Sequence, residues 1–161
     1  MKNYPHIGVI GAGIAGLACA QALQAAGCAV QVFDKSRGPA GRMSTRRGDD
    51  WQCDHGAQYF TARDPRFAAE VARWQVAGVV APWQPRLAVL GATDAHTTQA
   101  PTQRWVGVPG MTAPARHLAR GLTLHTQHTV DGLFHGGLGW SLRTQEEGVL
   151  RWRFDALVLA V

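Results

Sequence analysis

The chain has 161 residues, 46% hydrophobic and 17% charged, a mix that suits a folded domain with a sizeable core and excludes a disordered chain, a collagen and a coiled coil. Its formal charge is +5, from 16 basic against 11 acidic side chains, yet no basic cluster exceeds the adjacent pair Arg46-Arg47. Scattered arginines of this kind suit an anionic small molecule better than DNA or RNA, so no nucleic-acid partner is expected. Cys19, Cys28 and Cys53 form no even set and no Cys-x-x-Cys pair, which argues against a disulfide framework and a structural zinc. Residues 1–5 show no signal-peptide cleavage pattern, and a cytoplasmic location is the expectation. Residues 7–33 carry no charge, but five glycines and three glutamines break the stretch, so it reads as a core unit rather than a membrane span.

In chain order, residues 6–10 form a short apolar run that predicts a buried parallel strand. Gly11-Ala12-Gly13-Ile14-Ala15-Gly16 follows, leading into a small-residue helix over 14–26 closed by Gly27. Residues 29–33 predict the second strand, with Asp34 at its end. Gly11 permits a tight turn, and Gly13 lets a pyrophosphate approach the helix N-terminus and its free N–H groups. Gly16, with Ala20 one turn on, lets helix and sheet pack closely. Asp34 can accept hydrogen bonds from both hydroxyls of a ribose and would repel a 2′-phosphate. The spacing points to the ADP half of a dinucleotide, a half that FAD and NAD share. Where a simple nicotinamide dehydrogenase enters its next helix, this chain has a glycine- and proline-rich loop, Lys35-Ser36-Arg37-Gly38-Pro39-Ala40-Gly41-Arg42. The planar fork of Arg42 suits a phosphate or a ribose.

Asp64 as N-cap and Pro65 at the first helical position predict a helix with Phe67, Val71 and Trp74 on one face, stopped by Gly78. Alternating stretches predict antiparallel strands at 86–90 and 102–106, then a helix at 112–120 ending at Gly121. Further strands are predicted at 128–134, 138–143 and 149–154, and a final buried strand over 155–161. A terminal carboxylate on a buried strand is costly, which predicts a truncated chain. Cys53 and His55 are the one close Cys/His pair, without a third ligand at metal-like spacing, so no metal is expected. His55 reads as an ordinary loop histidine, with a proton relay as its alternative. No Gly-x-Ser-x-Gly elbow is present, and no catalytic residue is assigned.

The loop after Asp34 resembles the acid–x5–Gly–Gly–Arg pattern of the flavin amine oxidase superfamily, with Ala40 in place of the first glycine. Asp54-His55-Gly56-Ala57-Gln58-Tyr59-Phe60 and Val106-Gly107-Val108-Pro109-Gly110-Met111 sharpen the likeness. Over its whole length the chain resembles the bacterial renalase-like FAD-dependent oxidoreductases of that group. The resemblance implies an α/β fold: an FAD-binding Rossmann-type three-layer domain with an inserted β-rich substrate domain. Residues 1–80 would be the FAD-binding segment with a cap-side helix, 81–110 part of the substrate domain, and 111–161 the return segment. It implies FAD contacts at Gly11, Ala12, Gly13, Ile14, Ala15 and Gly16, at Asp34 and Lys35, and at Gly41 and Arg42. Gly56 and Ala57, being small, would let backbone approach a flat ring; Gln58 and Tyr59 would lie beside the isoalloxazine, and the Val130 backbone would meet the adenine. The implied reaction is hydride transfer from an isomeric dihydro-NAD(P) to flavin N5, with reoxidation by molecular oxygen. Its rivals are a flavin-containing amine oxidase acting on an amine, an NAD(P)-dependent dehydrogenase, and a non-catalytic dinucleotide-binding fragment.

Overall fold

Strict alternation along the first two strands decides how the layers stack. In the computed structural model, which describes residues 4–86 and 102–161, β1 (His6–Ile10) leads through the glycine turn into α1 (Ile14–Ala25) and on to β2 (Ala29–Asp34). Ile7 and Val9 of β1, with Val30 and Val32 of β2, join Leu17 and Ala20 of α1 in one buried cluster. Ile10 and Phe33 face the opposite way, into a second cluster with Leu142, Leu150 and Phe154. A strand puts successive side chains on opposite faces, so one sheet can bury both its sides under different layers.

The chain continues through a short hairpin, β3 (Arg46–Arg47) and β4 (Gln52–Cys53), then β5 (Phe60–Thr61), α2 (Pro65–Val76), β6 (Val80–Trp83) and β7 (Arg104–Gly107). After α3 (Ala113–Leu118) come β8 (Thr123–Thr126), β9 (Val130–Gly136), β10 (Gly139–Thr144), β11 (Gly148–Val149) and β12 (Ala156–Leu159). The central sheet is parallel with strand order β12-β1-β2-β8. The meander β9–β10–β11 covers its second face, and β5, β7 and β6 form a separate antiparallel sheet in the order β5-β7-β6. Asp64 caps α2 by accepting from the backbone N–H groups of Arg66 and Phe67, at 2.8 and 3.4 Å. Below that cap Val71 and Trp74 are buried on the helix's inner face.

Four sequence expectations need correction or fall elsewhere. The strand over 149–154 shrinks to β11 plus a single bridge between Phe154 and Trp140. The final strand is not buried: among the described residues β12 pairs only with β1, and Leu159 is 60% exposed. Its unbroken apolar run reads as buried on both faces, but Ala156 and Leu159 are exposed and Leu157 and Val158 only half-buried. β3, β4, β5, β6 and β8 are not among the expected strands; β3, β4 and β5 are two residues each, β8 is four residues with three polar side chains, and β6 contains Pro82, a residue tolerated on edge strands. The expected strand over 86–90 lies, beyond Arg86, outside the described residues.

Candidate functional site

The parallel sheet winds from β1 to β2 to β8 in one direction, then returns to place β12 on the other side of β1. In open α/β sheets the crevice at the carboxyl ends of strands flanking such a reversal is where ligands bind. A cleft of about 600 Å³ opens there. Gly11 leaves β1 with φ +107°, and a Cβ at that position would collide with the Ala160 carbonyl. A Cβ at Gly16 would collide with the Gly11 carbonyl. These two glycines are demanded by backbone packing. Gly13 differs: a Cβ there meets nothing within 4 Å, because the residue faces the open cleft.

Asp34 ties this turn to the next loop. Its Oδ2 accepts from the Ala12 N–H at 2.7 Å and its Oδ1 from the Ser36 N–H at 2.8 Å. Each carboxylate oxygen has a second lone pair, so both can still accept from a ligand hydroxyl. The 35–43 loop lies back against the glycine turn, with the Ala40 N–H donating to the Ala12 carbonyl at 3.1 Å. Ala40 takes φ +146°, a conformation that favours glycine, at the position where the flavin amine oxidase pattern has one. Gly41 follows at φ +54°, and a Cβ on it would press to 3.3 Å from the Gly13 Cα.

Nine of the fifteen expected residues line the cleft: Gly11, Gly13, Ile14, Ala15, Asp34, Lys35, Gly41, Arg42 and Val130. Ala12 and Gly16 are buried beneath it, serving the turn. Gly56 and Ala57 do not line it. A Cβ on Gly56 would collide with the Arg42 carbonyl, and the Ala57 N–H donates to that same carbonyl at 2.8 Å. Their smallness therefore fixes the Arg42 backbone. Gln58 is exposed, and Tyr59 sits away from the cleft with its ring 5.6 Å from Trp83 and beneath the Arg104 guanidinium at 5.2 Å. Cys53 is exposed, and His55 Nε2 lies 3.5 Å from Ser44 Oγ.

Two groups of residues escaped the sequence reading. His128 and Thr129 line the cleft from the turn between β8 and β9. The His128 ring places Nδ1 2.8 Å from the Thr126 carbonyl and Nε2 3.1 Å from Glu147 Oε1, while its backbone N–H donates to the Asp34 carbonyl. Glu146 Oε2 accepts from the Thr129 N–H at 2.7 Å. Hydrogen bonding from Thr129, aided by nearby His128, holds the Glu146 carboxyl below its ordinary range. Asp54 is the second case: its Oδ1 accepts from Thr45 Oγ1 at 2.5 Å and from the Met111 N–H at 3.0 Å, joining the hairpin end to the Val-Pro-Gly-Met loop. Neither role has a spacing signature, since both are contacts between distant loops.

The chemistry of the cleft is that of an anion cradle with a sugar acceptor beside it. No side chain caps α1 and no acidic residue stands in its first turn, which leaves the positive end of the helix dipole facing the opening at Gly13. Lys35 and Arg42 add positive charge at the rim, and Asp34 offers its oxygens at the end of β2. These groups fit a dinucleotide: diphosphate at the helix start, ribose at Asp34.

Comparison with known proteins agrees with this fold. Solved structures similar to the chain include a putrescine oxidase triple mutant, at TM-score 0.72 and 14% identity over 98% of this chain. Wild-type putrescine oxidase bound to putrescine matches at TM-score 0.71 and 13% identity, also over 98% of this chain. The 2,6-dihydroxypyridine-3-hydroxylase of Arthrobacter nicotinovorans matches at TM-score 0.60 and 18% identity over 92% of it. The chain spans 58% of the putrescine oxidase chains and 35% of the hydroxylase chain. These likenesses establish a mixed α/β fold with a parallel sheet of Rossmann type. Residues 9–74, which hold the glycine turn, Asp34 and the loop after it, match the family model of the NAD(P)-binding Rossmann-like domain.

Proposed function

We propose that the cleft seats the ADP half of FAD and that the chain is the nucleotide-binding part of a FAD-dependent oxidoreductase of the renalase-like kind. The observation that carries this reading is the pairing of an open Gly13 at an uncapped helix start with Asp34 at the end of the next strand. The long 35–43 loop folded against the glycine turn supports FAD over a simple nicotinamide cofactor. Bound FAD supplies hydride acceptance at flavin N5, with molecular oxygen taking the electrons on as hydrogen peroxide. This chain's residues do the seating. The N–H groups at the start of α1 and the Arg42 guanidinium hold the diphosphate, Asp34 accepts from the ribose with Lys35 beside it, and the Val130 backbone meets the adenine. Gly56 and Ala57 act one step removed, by fixing Arg42. Gln58 and Tyr59, outside the cleft, belong on this reading to the side where the isoalloxazine and the substrate meet, together with part of the 81–110 segment.

The substrate follows from the resemblance: an isomeric dihydro-NAD(P), oxidised with release of hydrogen peroxide. Two other readings have specific support. The matched family model is described as NAD(P)-binding, which favours a nicotinamide cofactor in the same cleft. The likeness to putrescine oxidase favours an amine substrate. A protein purified yellow, with flavin absorbance bands and an FAD titration that saturates at one equivalent, supports FAD; a colourless protein that binds NAD(P) but not FAD overturns it. Anaerobic bleaching of the flavin by dihydro-NAD(P) isomers, and not by amines, supports the renalase-like reaction, and the reverse assigns an amine oxidase.

A further inference from the structure

The antiparallel sheet β5-β7-β6 has two unlike faces. Phe60 and Trp105 pack with Val80 against the core, and the Phe60 ring meets Phe67 and Trp74 of α2 at 5.9 and 6.3 Å. Residues directly opposite in register project to the same side, and successive residues alternate. Arg104 is opposite Thr61 on one neighbouring strand and opposite Trp83 on the other, so all three point away from that core. Tyr59, two residues before Thr61, falls on the same face. Its ring lies 5.6 Å from that of Trp83, inclined at 41°, and the Arg104 guanidinium stands over it at 5.2 Å. Tyr59 is 41% and Trp83 38% exposed, so both rings present surface to solvent.

Arg104 brings charge to this face without an acidic partner among the described residues, whose ion pairs are Arg66–Asp64, Arg73–Glu70, His128–Glu147 and Arg143–Asp131. Contact with the Tyr59 ring restrains the guanidinium but does not accept its N–H groups as a carboxylate does. The half-buried head is therefore pre-set to donate to an anion at little further ordering cost. Beside it the two rings offer flat apolar surface on which a planar group stacks. A protonated amine fares differently. The rings would attract it, but the guanidinium already holds the place over Tyr59 and repels a second positive charge. None of the three residues lines the nucleotide cleft, yet a short stretch of chain joins the two places. The Ala57 N–H donates to the carbonyl of Arg42, which lines the cleft, and Tyr59 comes two residues later.

We propose that Tyr59, Trp83 and Arg104 form a second binding site, separate from the nucleotide cleft, for a planar group that carries negative charge, and that Arg104 turns cationic amines away. The ligand class follows from these side chains alone. Its use as the substrate subsite rests on the FAD reading of the cleft; on that reading the site favours an isomeric dihydro-NAD(P), with its flat rings and phosphates, over an amine.

The test is a residue-resolved NMR titration of the full chain at pH 7.5 with benzoate, benzylamine and cyclohexanecarboxylate, whose charges are constant around that pH. Benzoate is expected to shift the amides of Tyr59, Trp83 and Arg104 and to leave those of residues 11–15 and 34–42 in place. Cyclohexanecarboxylate, equally charged but not flat, is expected to bind about threefold more weakly, and benzylamine to leave the same amides unmoved at equal concentration. Arg104→Met is expected to weaken benzoate about tenfold and to admit benzylamine, a reversal that a merely structural residue would not produce. Arg104→Lys keeps the charge and loses the planar fork, so its benzoate affinity falls between the two, and it supplies the readout if Arg104→Met loses its native spectrum. Equal shifts by benzoate and benzylamine, benzoate shifts confined to the cleft, or no benzoate binding overturn the inference. FAD titrated into the same samples keeps the two readings apart. Benzoate binding at Tyr59, Trp83 and Arg104 in a protein that takes up no FAD upholds the site and removes the flavin reading with its substrate; FAD uptake without benzoate binding does the reverse.

Discussion

A methyl group added at Gly16 would run into the Gly11 carbonyl, whereas one added at Gly13 would project into the open cleft. The two substitutions therefore separate folding from binding. Gly16→Ala is expected to lower stability by about 3 kcal/mol, because backbone rather than a movable side chain is in the way, and denaturant titration reads it. Gly13→Val is expected to leave the denaturation midpoint nearly unchanged and to abolish FAD or ADP binding by occupying the diphosphate position. A Gly13→Val protein that still binds nucleotide with parent affinity sinks the assignment of the cleft. The sequence motif made all three glycines visible, and the structure sets Gly13, open to the cleft, apart from Gly11 and Gly16, which backbone crowds. Gly56 was equally visible, but its partner was not. Smallness in a sequence says that something comes close, and here that something is the Arg42 backbone from fourteen positions upstream.

Among the elements, α2 shows how much a short stretch can specify. Asp64, Pro65, the apolar positions Phe67, Val71 and Trp74, and Gly78 at φ +70° mark its start, face and stop, and the helix runs Pro65–Val76. Arg66, through its side chain first and its backbone N–H second, holds the Asp64 carboxyl below its ordinary range. A lowered carboxyl contributes stability that is present at neutral pH and lost as pH falls through its lowered value. Asp64→Ala should thus lower Tm by about a few degrees at pH 7, with the difference from the parent shrinking toward strongly acid pH. Trp74→Ala, at a residue 2% exposed, is expected to cost about 3–5 kcal/mol in the same measurement. The strands were less legible than the helices. β12 reads as buried by composition alone because an apolar run does not tell how much of each face its neighbours cover, and β8 is too short and polar to register as a strand until β2 lies beside it.

For the molecule as a whole, the space between the parallel sheet and the meander is packed with aromatic and histidine rings. His125 stacks on Phe33 at 4.8 Å and lies 4.7 Å from Trp152, with its Nε2 2.9 Å from Gln31 Oε1. Burial in this pile is the main reason its proton affinity is lowered. A histidine held below its unfolded value takes up a proton more readily in the unfolded chain, so the stability it allows is complete well above pH 6.5 and declines as pH falls through that value. Chemical denaturation at pH 7.5 and pH 5.5 should show the lower midpoint at pH 5.5, with the gap narrowed in His125→Gln. An unchanged gap in that variant would place the acid sensitivity elsewhere.

The Gly11 turn has room for its neighbours on one condition, that the Ala160 carbonyl sits against it, with the Ala160 N–H bonded to the Ile10 carbonyl at 2.8 Å. Residues near positions 10 and 160 thus share one small junction. During synthesis the final shape of the glycine turn must wait until the segment some 150 residues further on has been made. Nucleotide capture on this scheme follows the docking of the 156–160 segment rather than preceding it.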